Sequence, residues 1–189
     1  MIGSDWHLPK RGVVGMCALI VAESAMFTIF VVAYIYYIGK SSFGPTPRQV
    51  LHVPVLGTIC LLSSSIFIWL AEREIHRARM SRFKVLWGIT CLLAAVFLSG
   101  TAQEWYRLIF HEGLTVRTNL FGTTFYSLVG LHAAHVTVGL TILTLVLIFA
   151  LANRVRPEHA YQVQVFSLYW HFVDVVWVVV FTTVYIVGR

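Results

Sequence analysis

Five apolar runs, each close to the length that crosses a lipid bilayer, dictate what this chain can become. A helix rises about 1.5 Å per residue and the hydrocarbon core is about 30 Å thick, so one span needs about 20 residues. Runs of this kind cover residues 13–38, 53–70, 85–108, 121–152 and 163–187. The second is the shortest and carries Pro54 in its first turn, where proline is tolerated. The fourth exceeds the minimum, which implies tilt or projection beyond the bilayer. Of the 189 residues 58% are hydrophobic and only 12% are charged, against about 25% charged in a soluble domain. Too few polar groups remain to cover a folded surface in water. Inside hydrocarbon each segment must satisfy its own backbone, which favours helices. The expected fold is all-α: a bundle of five transmembrane helices forming one membrane domain over residues 1–189.

The connections carry turn or interface signals. Gly44, Pro45 and Pro47 mark the first loop, residues 73–84 read as a basic linker, 111–119 as a polar loop, and 153–159 as a turn containing Pro157. Residues 1–11 are short and polar and no small-residue cleavage site follows, so the first run is expected to be retained as a helix. Lys10, Arg11, Arg73, Arg77, Arg79, Arg82, Lys84, Arg154 and Arg156 fall on one side of the membrane, nine in all. Lys40, Arg48, Arg107, Arg117 and Arg189 fall on the other, a total of five. The positive-inside rule then puts the N-terminus in the cytoplasm and the C-terminus outside. The net charge of +6 thus reads as membrane anchoring rather than nucleic-acid binding. Cys17, Cys60 and Cys91 are isolated within apolar runs and read as small core residues, neither a disulfide framework nor a zinc motif. Glu72 and Glu74, set among arginines, read as solvated surface charges, and Arg107 as a neutralising neighbour of Glu104 at the end of the third span.

An ionisable side chain at the bilayer centre costs about 2.5–3.5 kcal/mol on insertion scales. Such a residue needs a partner, a cavity or a task. Glu23 sits about 15 Å into the first span, His132 and His135 about 17–21 Å into the fourth, and His171 and Asp174 about 12–17 Å into the fifth. All five reach the midplane, which predicts one buried polar layer. Ser167, His171 and Asp174 follow i, i+4, i+7 spacing, and His132, His135 and Gly139 share a face on the fourth span, with Gly139 allowing close helix approach. A histidine of one helix bonded to an acid of another would offset much of the insertion cost. The residues alone leave several uses open: packing locks, a lipid site, a proton relay, a metal site, or haem held between His132 and His171.

Particular stretches resemble a known family. Residues 169–177 read Tyr-Trp-His-Phe-Val-Asp-Val-Val-Trp, similar to the final-helix signature of subunit III of haem–copper terminal oxidases. Gly122-Thr123-Thr124-Phe125-Tyr126 and Gly130-Leu131-His132-Ala133-Ala134-His135-Val136 resemble its penultimate helix. Glu104-Trp105-Tyr106 resembles its Glu-aromatic-aromatic segment, and Glu23-Ser24-Ala25-Met26-Phe27 its glutamate-bearing helix, where the family often has Ser-Glu in place of Ala22-Glu23. The resemblance runs in order along nearly the whole chain, which starts at what would be the third helix of the seven-helix mitochondrial form. It implies a bacterial five-helix form in the cytoplasmic (inner) membrane.

What the resemblance implies is an accessory role in aerobic respiration. Such a subunit binds no haem or copper itself; both belong to partner subunits I and II. It packs mainly on subunit I, touches subunit II and possible further respiratory subunits, holds structural phospholipids, and supports proton uptake and lasting turnover. Glu23 would lie at the lipid cleft, and Arg154 and Arg156 would bind lipid phosphate from the cytoplasmic side. Cytochrome c is the expected electron donor. Rival readings are a quinol oxidase or nitric oxide reductase subunit of the same fold, or a small proton-coupled transporter.

Overall fold

A computed structural model describes residues 11–41 and 43–188. Lys10 and Arg189, used above for orientation, lie outside the described residues. All regular structure among the described residues is helical, with no strand: α1 (Arg11–Tyr37), a single turn α2 (Pro47–Val50), α3 (Val55–His76), α4 (Met80–Phe110), α5 (Leu120–Leu151) and α6 (Ala160–Phe181). A 3-10 turn, Pro157–His159, leads into α6, and a wider π turn, Thr182–Val187, ends it. Five of these segments are long and apolar enough to cross a membrane.

Four helices close a ring in which α3 packs on α4, α4 on α5, α5 on α6, and α6 back on α3. The fifth, α1, lies outside the ring in the furrow between α5 and α6. Burial follows this plan: half of the central stretch of α6 is buried, against 6% in α1. Aromatic rings fill the ring's interior, where Trp87, Trp170, Trp177, Phe97 and Phe125 are all enclosed. Each of the three tryptophans finds an acceptor for its indole N–H, as a buried tryptophan generally must. Trp87 donates to the Leu143 carbonyl at 2.9 Å, Trp170 to Ser64 Oγ at 2.9 Å, and Trp177 to Thr58 Oγ1 at 3.2 Å.

Gly139 sets the spacing between α5 and α6. A Cβ there would lie 2.8 Å from the Trp170 ring and 3.3 Å from Tyr169. The glycine admits an indole face rather than a neighbouring backbone. At the start of α5, Asn119 caps the helix by accepting from the Gly122 N–H at 2.8 Å, while its amide donates to the Phe43 and Pro45 carbonyls. The α1–α2 loop is thereby fastened to α5. At the opposite end of the bundle the Val13 N–H of α1 donates to the Tyr161 hydroxyl at 2.9 Å.

Several expectations need correction. The basic linker is not a linker: Arg73 lies inside α3, Arg82 and Lys84 lie inside α4, and only residues 77–79 turn between them. Arginine and lysine are good helix formers with long stems, so charge does not end a helix where apolarity does. Glu74 is not solvated but 8% exposed, beneath the arginines of that turn. Arg107 acts on Glu104 through space, as expected, but without a direct ion pair: it donates to the Val50 carbonyl at 2.8 Å, and Glu104 accepts from the Tyr185 hydroxyl at 3.2 Å. Cys17 faces outward and Cys60 is only half-buried, so neither is a core residue, whereas the half-buried Cys91 packs against the core.

Candidate functional site

The five mid-span residues Glu23, His132, His135, His171 and Asp174 fall into three groups with no hydrogen bond from one group to another. In the first, Glu23, midway along α1, meets His135, midway along α5, with 3.1 Å between Oε2 and Nε2. The other ring nitrogen, Nδ1, lies 2.8 Å from the Leu131 carbonyl. A carbonyl has no hydrogen to give, so Nδ1 carries its proton and donates. The remaining hydrogen of the pair lies between Nε2 and Oε2, on one atom or the other. Either distribution leaves the couple neutral overall, the form that hydrocarbon tolerates. The two side chains keep 24% and 14% of their surface exposed. Phe27 lies beside the imidazole at 5.0 Å, and Tyr169 donates to the His135 carbonyl at 3.3 Å.

The second group joins α6 to α3. Ser65 Oγ donates to Asp174 Oδ2 and lies 3.0 Å from His171 Nδ1. A hydroxyl has a single hydrogen, so once Ser65 donates to Asp174, its oxygen accepts from the His171 N–H. A directed chain results, from His171 through Ser65 to Asp174. The second carboxyl oxygen, Asp174 Oδ1, is buried with no partner. Next to Ser65, Ser64 receives the indole of Trp170, one turn before Asp174, and passes its own hydrogen to the Leu61 carbonyl at 2.6 Å.

His132 forms the third group by itself. It is 1% exposed, and both ring nitrogens lack a hydrogen-bond partner. Trp177 stacks on it at 5.0 Å and Phe97 meets it edge-on at 6.0 Å. His132 and Gly139, seven residues apart, both face α6, whereas His135 turns to α1. Among the described residues no three His, Cys, Asp or Glu side chains gather as a metal-binding group would. No open slot for haem faces His132, which Trp177 and Phe97 cover.

Beside the first group runs a groove of about 550 Å³ between α1 and α6, walled by Phe27, Val31, Phe172 and Val175, with His171 also lining it. Its walls are apolar; the Ser24 and Thr28 hydroxyls there are turned back on their own helix, to the carbonyls of Ile20 and Ser24 at 2.7 Å. Arg154 and Arg156 are exposed at the turn between α5 and α6. They stand on the same end of the bundle as the α3–α4 turn, since Lys84 of α4 donates to Asn153 Oδ1 at 2.7 Å. Reading the sequence missed Ser64, Ser65 and Thr58. The run Ser63-Ser64-Ser65 within an apolar span was the available signal.

Fold and site together define a multi-pass helical membrane protein whose intramembrane acids are held by side chains of neighbouring helices. The sequence pattern described as cytochrome c oxidase subunit III matches residues 7–189. The chain is 36% identical over 186 residues to cytochrome c oxidase subunit 3 of Synechocystis, covering 94% of this chain and 76% of that one. It is 33% identical over 181 residues to cytochrome c oxidase subunit 3 of Bacillus sp. strain PS3, covering 95% and 87%. Quinol oxidase subunit 3 of Bacillus subtilis is 30% identical over 181 residues, covering 95% and 88%. The chain belongs to the cytochrome c oxidase subunit III family.

Proposed function

We propose that the chain is the non-redox third subunit of a proton-pumping haem–copper oxidase in a bacterial cytoplasmic membrane, where it packs on subunit I, retains lipid and sustains turnover. Haem and copper reside in subunits I and II on this reading, and oxygen is reduced to water there. The N-terminus faces the cytoplasm, supported by the nine-to-five imbalance of Lys and Arg. Cytochrome c is the donor; two of the relatives above carry that name, at 33% and 36% identity. The quinol oxidase relative at 30% keeps quinol as the second reading.

The observation that carries the proposal is the Glu23–His135 couple beside the α1–α6 groove. A neutral acid–imidazole pair at mid-membrane holds α1 to the ring without presenting a bare charge to acyl chains. Both side chains retain some exposure, so the pair borders lipid rather than a closed core. A lipid tail in the groove would have Phe27 and Phe172 as walls and would keep α1 from detaching. Arg154 and Arg156 would hold lipid phosphate at the cytoplasmic end by charge-assisted hydrogen bonds.

Copurification tests the assignment. The tagged chain, extracted in mild detergent, should bring with it a large subunit showing haem and copper spectra, and the assembly should oxidise reduced cytochrome c. Recovery of the chain alone as a functional proton-coupled carrier would refute the proposal. Oxidation of quinol instead of cytochrome c would overturn the donor assignment alone.

A further inference from the structure

We propose that the α3–α4 turn is a binding site for one anionic phospholipid, separate from the α1–α6 groove and from Arg154 and Arg156. The site has a charged head and an apolar trough. At the head, Glu74 gathers three arginines: Arg77 donates to its Oε1 at 3.2 Å, and Arg79 and Arg82 stand 3.9 and 4.0 Å from its Oε2. One carboxylate against three guanidiniums leaves two positive charges in excess. Arg79 and Arg82 are too far from Glu74 for hydrogen bonds, so their N–H groups remain available to an outside acceptor. Their side chains are 54% and 69% exposed, so an acceptor can reach them.

Directly beneath lies a crevice of about 460 Å³ lined by Leu70, Ser81, Val85 and Leu86, with Glu74 and Arg82 at its rim. Val85 is 63% exposed, so the trough opens sideways toward the membrane rather than into the bundle. A pair of fixed cations over a laterally open apolar furrow matches an amphiphile: phosphate on Arg79 and Arg82, acyl chain along Val85 and Leu86. A soluble phosphate would leave the trough unfilled, and a partner's acidic loop would leave it facing acyl chains. The buried Glu74 serves as organiser, holding flexible arginines in one place so that less conformational freedom is lost when the lipid arrives.

Native mass spectrometry of the oxidase complex purified through this chain tests the site, with phosphatidylglycerol and phosphatidylcholine as probes. The complex should retain one phosphatidylglycerol more than the Arg79→Gln/Arg82→Gln variant, and phosphatidylcholine should not replace it. Arg82→Gln alone should weaken retention by about fivefold. Val85→Trp, which fills the trough and leaves every arginine in place, should also lose that lipid; it stands in should the double variant fail to assemble. Equal phosphatidylglycerol counts in wild type and variants would overturn the proposal, as would displacement by glycerol 3-phosphate alone. Loss of a neighbouring subunit from the variants with unchanged lipid counts would overturn it too, placing a protein carboxylate on the arginines.

Discussion

Removing the Ser65 hydroxyl should disturb two helices at once. Ser65→Ala deletes the donor to Asp174 Oδ2 and the acceptor for His171 Nδ1. Interhelical hydrogen bonds within membranes contribute about 0.6 kcal/mol on average and up to about 1.7. Two such bonds set a loss of about 1–3 kcal/mol. Asp174 decides which end of the range applies, because its Oδ1 is already buried without a partner and the variant would strand Oδ2 as well. A buried acceptor left unsatisfied costs about 1–3 kcal/mol, so a loss near 2 kcal/mol is expected. The same substitution in an Asp174→Ala background should cost well under 1 kcal/mol, since only the His171 contact remains to be lost. Reversible unfolding of the full chain in mixed micelles, followed by the fluorescence of the nearby Trp170 and Trp177, measures all four corners of this cycle. Additivity of the two substitutions within about 0.5 kcal/mol would refute the directed chain from His171 to Asp174.

Gly139→Ala should destabilise the bundle by about 1–2 kcal/mol, because the new methyl meets a Trp170 ring fixed by its bond to Ser64, and overpacking outweighs the better helix propensity. Gly100→Ala, where nothing lies within 4 Å, should instead be neutral or stabilising by up to about 1 kcal/mol; the same unfolding measurement separates the two. Glu74→Gln should cost no more than about 1 kcal/mol despite three ion pairs, since the arginine side chains are 52–69% exposed and solvent screens them. A loss of several kcal/mol there would mean that the turn is far less hydrated than its exposure indicates.

The five helices were legible because span length and apolarity are one-dimensional properties of a chain. Ends were legible only to within two turns: α3 runs to His76, beyond the expected residue 70, as Glu72, Arg73 and Glu74 extend the helix past its apolar part. That acids and imidazoles would sit mid-span was also readable, and Glu23 and His135 do meet across helices. Their division into three groups was not readable, since it depends on which way each helix is turned. His132 and His135, three residues apart, point to different neighbours. Ser65 was hard to single out within its serine run for a different reason. Hydroxyls in membrane helices ordinarily bond to their own backbone one turn back, as Thr28, Thr137 and Thr141 do here. Beyond the serine run itself, nothing in the sequence marks which serine or threonine hydroxyl crosses to another helix. Glu74 was misread because the neighbouring arginines suggested solvent, while the turn folds those arginines over it.

The most direct measurement follows the Glu23→Gln variant of the assembled complex through many turnovers. The couple between α1 and α5 carries no electron, so the opening rate of oxygen consumption should stay close to wild type. Activity should then decay earlier, with fewer lipids retained per complex. An immediate loss of oxygen reduction in a fully assembled, haem-replete complex would contradict the account, and so would endurance and lipid content identical to wild type.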